Sequence, residues 1–278
     1  MLLVFLTIIA SILTALFIFL VIHPTGNFVW WNLPVVFVAS FVLTFLLFLL
    51  FLIILAALHS KRKKVIKPKG IYPFFIYHVA VFLRWVYNIK VVFENKEALP
   101  KDKKFLLVLN HQSMLDPIVV ISCLKGYNLA YIVKDSLIKV PFVGRYLHAA
   151  GFLPIDRKNN RKALENILLG IKRLEQGETL AIYPEGTRSK GPKVNEFRDG
   201  AFKPALKAEA SIVVLAIDGF YKKRVSFPFV PAKVFLKVCK VIPYEKLKDY
   251  QTNDISEYIR NTIIKNLDEA RKKYLWLQ

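Results

Sequence analysis

Asn110-His111-Gln112-Ser113-Met114-Leu115-Asp116 follows directly on Phe105 to Leu109, an apolar run preceded by lysines that reads as a buried strand. A histidine and a carboxylate just past a strand's end make a common place for a site, because the loop there is held by a rigid sheet. Their spacing says how the chain must run. On one continuous helix, residues five apart point about 140° away from each other, so His111 and Asp116 would not meet. Pro117 changes this: Asp116-Pro117 reads as a helix N-cap followed by proline at the first helical position, which makes 111–116 a turn. A turn folds the carboxylate back on the imidazole. There it would fix the ring's tautomer and stabilise the imidazolium formed when the other nitrogen takes a proton. Taken alone, the stretch suits a surface histidine beside a capping Asp better.

A second stretch, Tyr183-Pro184-Glu185-Gly186-Thr187-Arg188-Ser189, ends another apolar strand candidate, Thr179 to Tyr183. It has the makings of an anion site. Gly186 lets the backbone approach closely, Thr187 offers a hydroxyl, and Arg188 offers a planar fork matched to phosphate oxygens. A strand-end turn with a surface ion pair fits the block alone equally well. In this order, however, the two blocks resemble the glycerolipid acyltransferase family, specifically the lysophosphatidic acid acyltransferases. That family carries Asn-His-x-x-x-x-Asp and then a Phe-Pro-Glu-Gly-Thr-Arg-Ser-like block. The resemblance covers roughly residues 85 to 245.

The resemblance implies a direct transfer of a fatty acyl group from a thioester to the sn-2 hydroxyl of lysophosphatidic acid, giving phosphatidic acid. His111 is then the base, a contribution of roughly 10²–10⁴-fold, and Asp116 orients it. Ser113 reads as a turn residue, since no Ser or Cys nucleophile is needed. Glu185, unable to bind phosphate itself, is expected to pair with Lys134 and place that ammonium near the developing oxyanion. Lys139-Val140-Pro141-Phe142-Val143-Gly144 resembles a family segment with a Pro-x-x-Gly turn. Gly151 to Arg157 is similar to a block whose arginine helps hold the acceptor's phosphate; by residue type alone, Arg157 is a solvated member of the basic run Arg157, Lys158, Arg161 and Lys162. Where the family carries prolines before and within its last strand, this chain has Ser211 and Val214, so the resemblance leaves the acyl-side pocket undefined. No metal or cofactor is implied. The donor is acyl carrier protein or acyl-coenzyme A, which present the same pantetheine thioester.

Composition points to the same place by another route. The 278 residues carry a formal net charge of +21, yet 55% are hydrophobic. Charge alone would suggest nucleic acid; the apolar excess is concentrated at the beginning of the chain and points to a membrane instead. Met1 to Ile22 has no charged side chain and, as a helix, spans roughly 33 Å. It lacks the basic start and small-residue cleavage site of a signal peptide. His23 to Asn27 reads as a tight turn, and 28–58 is again free of charge, opened by Trp30 and Trp31 and interrupted by Pro34. The six basic residues Lys61, Arg62, Lys63, Lys64, Lys67 and Lys69 follow at once. By the positive-inside rule this flank, and all that comes after it, is cytoplasmic. The expected location is therefore the cell membrane, with the catalytic domain on the cytoplasmic face. Cys123 and Cys239 lack metal-ligand spacing and read as reduced core residues.

The expected organisation is a membrane hairpin over 1–58, a basic and interfacial segment over 59–88, and an acyltransferase domain over 89–278. Ile71 to Tyr87, rich in aromatics, reads as an interfacial helix or equally a core-packing one. Strands are expected at Ile89–Phe93, Phe105–Leu109, Ala130–Val133, Thr179–Tyr183, Ile212–Ile217 and Val234–Val241. Helices are expected at Pro117–Leu124 and Phe202–Ala210. Two further helices carry apolar stripes: Ala163, Leu164, Ile167, Leu168, Ile171 and Leu174, taken as core, and Ile255, Ile259, Ile263, Leu267, Ala270 and Tyr274. This alternation predicts an α/β fold, a mixed sheet flanked by helices and preceded by a hydrophobic helical hairpin. Two other functions stay open: acylation of glycerol-3-phosphate or another lysophospholipid, and a non-catalytic membrane scaffold that binds anionic lipid. The intact pair of His111 and Asp116 argues against the scaffold.

Overall fold

A computed structural model describes residues 2–26, 30, 32–60, 65–68, 70–155, 160–221 and 231–277. The chain divides into two units, Met1–Ser60 and Lys61–Gln278. The first is a hairpin of α1 (Leu2–Phe17), a π-helical turn at Ile18–Ile22, a 3₁₀ turn at His23–Thr25, and α2 (Asn32–Ala57). Two stretches, Phe5–Thr25 of 21 residues and Asn32–Ala57 of 26, are long and apolar enough to cross a membrane. Their polar side chains behave as an apolar solvent requires. Thr14 Oγ1 donates to Ala10 O at 2.7 Å, Thr44 Oγ1 to Ser40 O at 2.7 Å, and Ser11 Oγ to Thr7 O at 2.9 Å.

The second unit begins with α3 (Ile71–Val86), β1 (Ile89–Glu94), β2 (Phe105–Leu109) and α4 (Asp116–Cys123). It continues through β3 (Ala130–Lys134), α5 (Asp135–Lys139), α6 (Val143–Ala149), β4 (Leu153–Ile155) and α7 (Asn160–Glu175). β5 (Leu180–Ile182), α8 (Lys203–Lys207), β6 (Ser211–Asp218), β7 (Ala232–Ile242) and α9 (Thr252–Lys273) complete it. The seven strands form one mixed sheet in the order β1-β7-β6-β2-β5-β3-β4. Among the described residues, only β6 and β7 pair antiparallel. All five residues of β2 are fully buried, as expected for a central parallel strand covered on both faces. Its neighbours are β6 (Leu109 beside Leu215) and β5 (Val108 beside Ile182).

Alternation along the strands sorts the two faces. Leu106, Val108, Leu180, Ile182, Ile212 and Val214 share one core with α9, whose Ile255, Ile259, Ile263 and Leu267 are all buried. Each such side chain contributes about 1.5–3 kcal/mol, which makes α9 a main support of the sheet. α3 packs on α4. Cys123 and Cys239 are free thiols, the first buried and the second half-buried.

The structure corrects two expectations. β4 was not foreseen as a strand. In α7, Leu174 is buried and Ile171 packs on the core, but Leu164 and Leu168 are exposed. The reason is Gly170: a Cβ there would sit 3.0 Å from Leu180 and 3.1 Å from Leu153, so the helix approaches the sheet through its glycine and turns Leu164 and Leu168 outward. The same face buries Arg173 completely, its guanidinium donating to Asn128 O at 2.9 Å and Ile66 O at 3.3 Å and lying 3.7 Å from Glu178.

Candidate active site

β2 delivers Asn110 at its C-terminal end, where parallel sheets place ligands. The buried Asn110 amide imitates a backbone unit and extends the ladder to β6: Nδ2 donates to Ile217 O and Oδ1 accepts from Ile217 N, each at 2.9 Å. The chain then turns through 111–115 into α4. Asp116 lies in that helix's first turn, but its side chain does not cap it. Instead Oδ2 points back and accepts the N–H groups of Gln112 at 2.7 Å and Ser113 at 2.8 Å, and His111 Nδ1 at 2.9 Å. One buried oxygen thus organises the whole turn. Ser113 Oγ accepts the Leu115 N–H at 3.2 Å, a turn contact. With a carboxylate at Nδ1, the imidazole carries its proton there, and Nε2 keeps the lone pair.

The second block clasps the His111 backbone from both sides. The His111 N–H donates to Glu185 Oε1 at 2.6 Å, and its carbonyl accepts the Ser189 N–H at 2.8 Å. Glu185 Oε2 accepts the Asn195 N–H at 3.0 Å. The 192–195 segment is held in turn by α9, where Arg260 donates to Val194 O and Asn195 O, each at 2.9 Å. A third brace runs through Gln112 Nε2 to Asp218 Oδ1 at 3.0 Å, and from Asp218 Oδ2 to Arg271 Nε at 2.8 Å.

Burial raises the pKa of Asp116 above its ordinary value, against the opposing pull of His111 and the two N–H donors. Burial likewise raises Glu185, opposed by the N–H groups of His111 and Asn195. The His111 side chain is 18% exposed and that of Asp116 is 0%. The histidine is therefore the reachable member of the pair.

Of the residues singled out in the sequence, His111, Asp116, Glu185 and Gly186 come together around this turn. Glu185 and Lys134 form no ion pair: both Glu185 oxygens hold backbone N–H groups, and Lys134 ends β3 as an exposed side chain. Thr187 and Arg188 are exposed on the second turn. Arg157 lies outside the described residues, as do Lys61 to Lys64 and Lys69 of the basic flank. Gly186 has φ +66°, and a Cβ there would sit 2.9 Å from Arg198 Nε. The turn therefore has a second guanidinium packed against it. Asn110, Gln112, Asn195 and Arg198 were all missed, although Asn110 and Gln112 flank His111 in the chain.

Residues 90–218 match the family described as Acyltransferase. A 1-acyl-sn-glycerol-3-phosphate acyltransferase of Borreliella burgdorferi is 28% identical over 190 residues, covering 67% of this chain and 75% of that one. A probable 1-acyl-sn-glycerol-3-phosphate acyltransferase of Mycoplasma genitalium is 32% identical over 194 residues, 68% of this chain and 69% of its own. The crystal structure of the 1-acyl-sn-glycerophosphate acyltransferase PlsC from Thermotoga maritima shares the fold, with a TM-score of 0.63 at 22% identity over 98% of this chain and 97% of that one. By class the protein is an O-acyltransferase. The chain belongs to the acyltransferase family.

Proposed function

We propose that this protein transfers a fatty acyl group from a thioester to the sn-2 hydroxyl of lysophosphatidic acid, giving phosphatidic acid, with His111 and Asp116 as a catalytic dyad. The observation that carries the reading is the contact of His111 Nδ1 with buried Asp116, which leaves Nε2 as the free base on the exposed side of the turn. Nε2 takes the proton of the acceptor hydroxyl as its oxygen attacks the thioester carbonyl carbon. The tetrahedral intermediate collapses with cleavage of the carbon–sulfur bond, and the imidazolium returns the proton to the departing thiolate. Products are the ester and the free thiol. The charge that develops on His111 is offset by Asp116 without a second proton transfer.

Arg188, with Thr187 and Gly186, is assigned to the acceptor's phosphate, and Arg157 to the same group. Lys134, free of Glu185, is assigned to the oxyanion. Glu185 acts through the His111 backbone. The N-terminal hairpin holds the enzyme in the membrane, with the catalytic unit on the cytoplasmic face where acyl thioesters are made. Support for the acceptor comes from the names of the relatives, and for the membrane from the two apolar helices.

The test is turnover of purified full-length protein in detergent micelles, followed by free-thiol release. Acyl carrier protein and coenzyme A thioesters are each offered against lysophosphatidic acid, glycerol-3-phosphate and lysophosphatidylcholine. Preference for lysophosphatidic acid is expected. Thiol release with glycerol-3-phosphate alone moves the acceptor, and no release with any pair returns the protein to a lipid-binding scaffold.

A further inference from the structure

A row of aromatic rings crosses the sheet from the His111 turn. The imidazole lies 4.0 Å from the Tyr183 ring, with 22° between their planes. Tyr183 stacks on Tyr131 at 5.5 Å and 17°, and Tyr131 meets Phe152 at 5.8 Å and 36°. The strand register explains the row. Leu107, Ala181 and Tyr131 are neighbours across β2, β5 and β3, and Tyr183 and His111 lie further along the same face at even spacing. Phe152 stands just before β4, the next strand out.

Both hydroxyl oxygens are buried, and the polar group beside each is the other tyrosine's hydroxyl. What Tyr183 presents to His111 is ring surface. His111 has its N–H, its carbonyl and Nδ1 fixed by Glu185, Ser189 and Asp116. A single bond at Nδ1 still tolerates tilts of tens of degrees. A base must aim its Nε2 lone pair along the O–H it deprotonates, and a flat ring against the imidazole face removes the tilt. The same π face attracts the imidazolium more than the neutral ring, so its effect grows as the proton moves.

Building on the reading of His111 as the base, we propose that Tyr183, backed by Tyr131, is a positioning residue for acyl transfer. Its ring sets the plane of the imidazole and favours the charged form, and its hydroxyl has no part in this.

The experiment compares full-length Tyr183→Phe, Tyr183→Leu, Tyr183→Met and Tyr131→Leu in micelles, with coenzyme A thioester and lysophosphatidic acid as substrates. Circular dichroism and melting serve as checks of folding. Tyr183→Phe is expected to keep kcat within about threefold of wild type, while Leu and Met lose about tenfold or more in kcat with both KM values nearly unchanged. Tyr131→Leu is expected to show a smaller fall of the same kind. A folded Leu or Met variant with wild-type kcat overturns the proposal, as does a Phe variant as impaired as Leu. If neither Leu nor Met folds, Tyr131→Leu decides: a fall in kcat at constant KM supports the role, and an unchanged kcat removes it. His111→Ala in the same assay separates the two failures. If it retains turnover, the base assignment itself is wrong. If it is inactive while Tyr183→Leu is unimpaired, only the positioning role is lost.

Discussion

Glu185 Oε1 accepts the backbone N–H of His111 at 2.6 Å, across 74 residues of sequence. Its other oxygen holds the N–H of Asn195, so the carboxylate ties the His111 turn to the loop that α9 supports. A glutamate beside a Gly-Thr-Arg turn invites a partner of opposite charge. The backbone supplies the partners instead, and that makes Glu185 part of the frame around His111.

Glu185→Gln separates these roles. Glutamine accepts one of the two N–H groups and turns a donor toward the other, leaving that pair unsatisfied at a cost of about 1–3 kcal/mol. The expected result is a lower melting temperature and about a 10–100-fold fall in kcat as His111 shifts, with the acceptor KM little changed. A raised acceptor KM at unchanged kcat would return Glu185 to substrate binding.

Asp116→Asn should divide stability from activity. Burial raises the Asp116 pKa in the folded state above its ordinary value near 3.8. The folded chain therefore binds more protons than the unfolded chain between those two values. Stability falls as pH rises through that window, and the loss persists at neutral pH. Asparagine removes that cost while its oxygen still accepts the Gln112 and Ser113 N–H groups. The variant is expected to be at least as stable as wild type at pH 7, with the difference in its favour shrinking as pH falls toward 4. Turnover should drop by about 100-fold or more, because the imidazolium loses its counter-charge. Denaturant titrations at several pH values beside thiol release would check both halves.

Arg188→Lys keeps the charge and loses the planar fork. The acceptor KM is expected to rise about tenfold with the thioester KM unchanged, and competition by inorganic phosphate should weaken in parallel. Arg198, packed over Gly186, is the natural second site; if Arg188→Lys is silent, Arg198→Lys is the variant that should respond.

Membrane placement is open to chemical labelling. Single cysteines at Gly26 and Ser60, with Cys123 and Cys239 first replaced, report on the hairpin's turn and on the start of the basic flank. Ser60→Cys is expected to react only after lysis, because the flank is assigned to the cytoplasmic side. Labelling of Gly26→Cys from outside intact cells marks a spanning hairpin; protection there marks one confined to a single leaflet. Reaction of Ser60→Cys from outside would reverse the orientation.

Much of the frame is legible in the sequence because its signals are local. Pro117 forces the turn that folds Asp116 onto His111, the β2 run is uniformly apolar, and the Ile255 to Ala270 stripe keeps one helical period. What stays hidden depends on neighbours far along the chain. Leu153-Pro154-Ile155 is too short and too irregular to read as a strand until β3 pairs with it. Gly170 rotates α7 away from the face its leucines suggest. Asn110, Gln112 and Tyr183 each meet a partner far along the chain, Ile217 and Asp218 on β6 and His111 in the turn after β2. Only the strand order brings those partners within reach.

The central claim is that His111 is the base, and thiol release by full-length His111→Ala tests it most directly. Measured beside wild type at saturating thioester and lysophosphatidic acid, with acceptor binding followed separately in the same micelles, the variant should bind the acceptor normally. Its rate should fall by at least about 100-fold. Turnover at near wild-type rate with His111 gone would contradict the account.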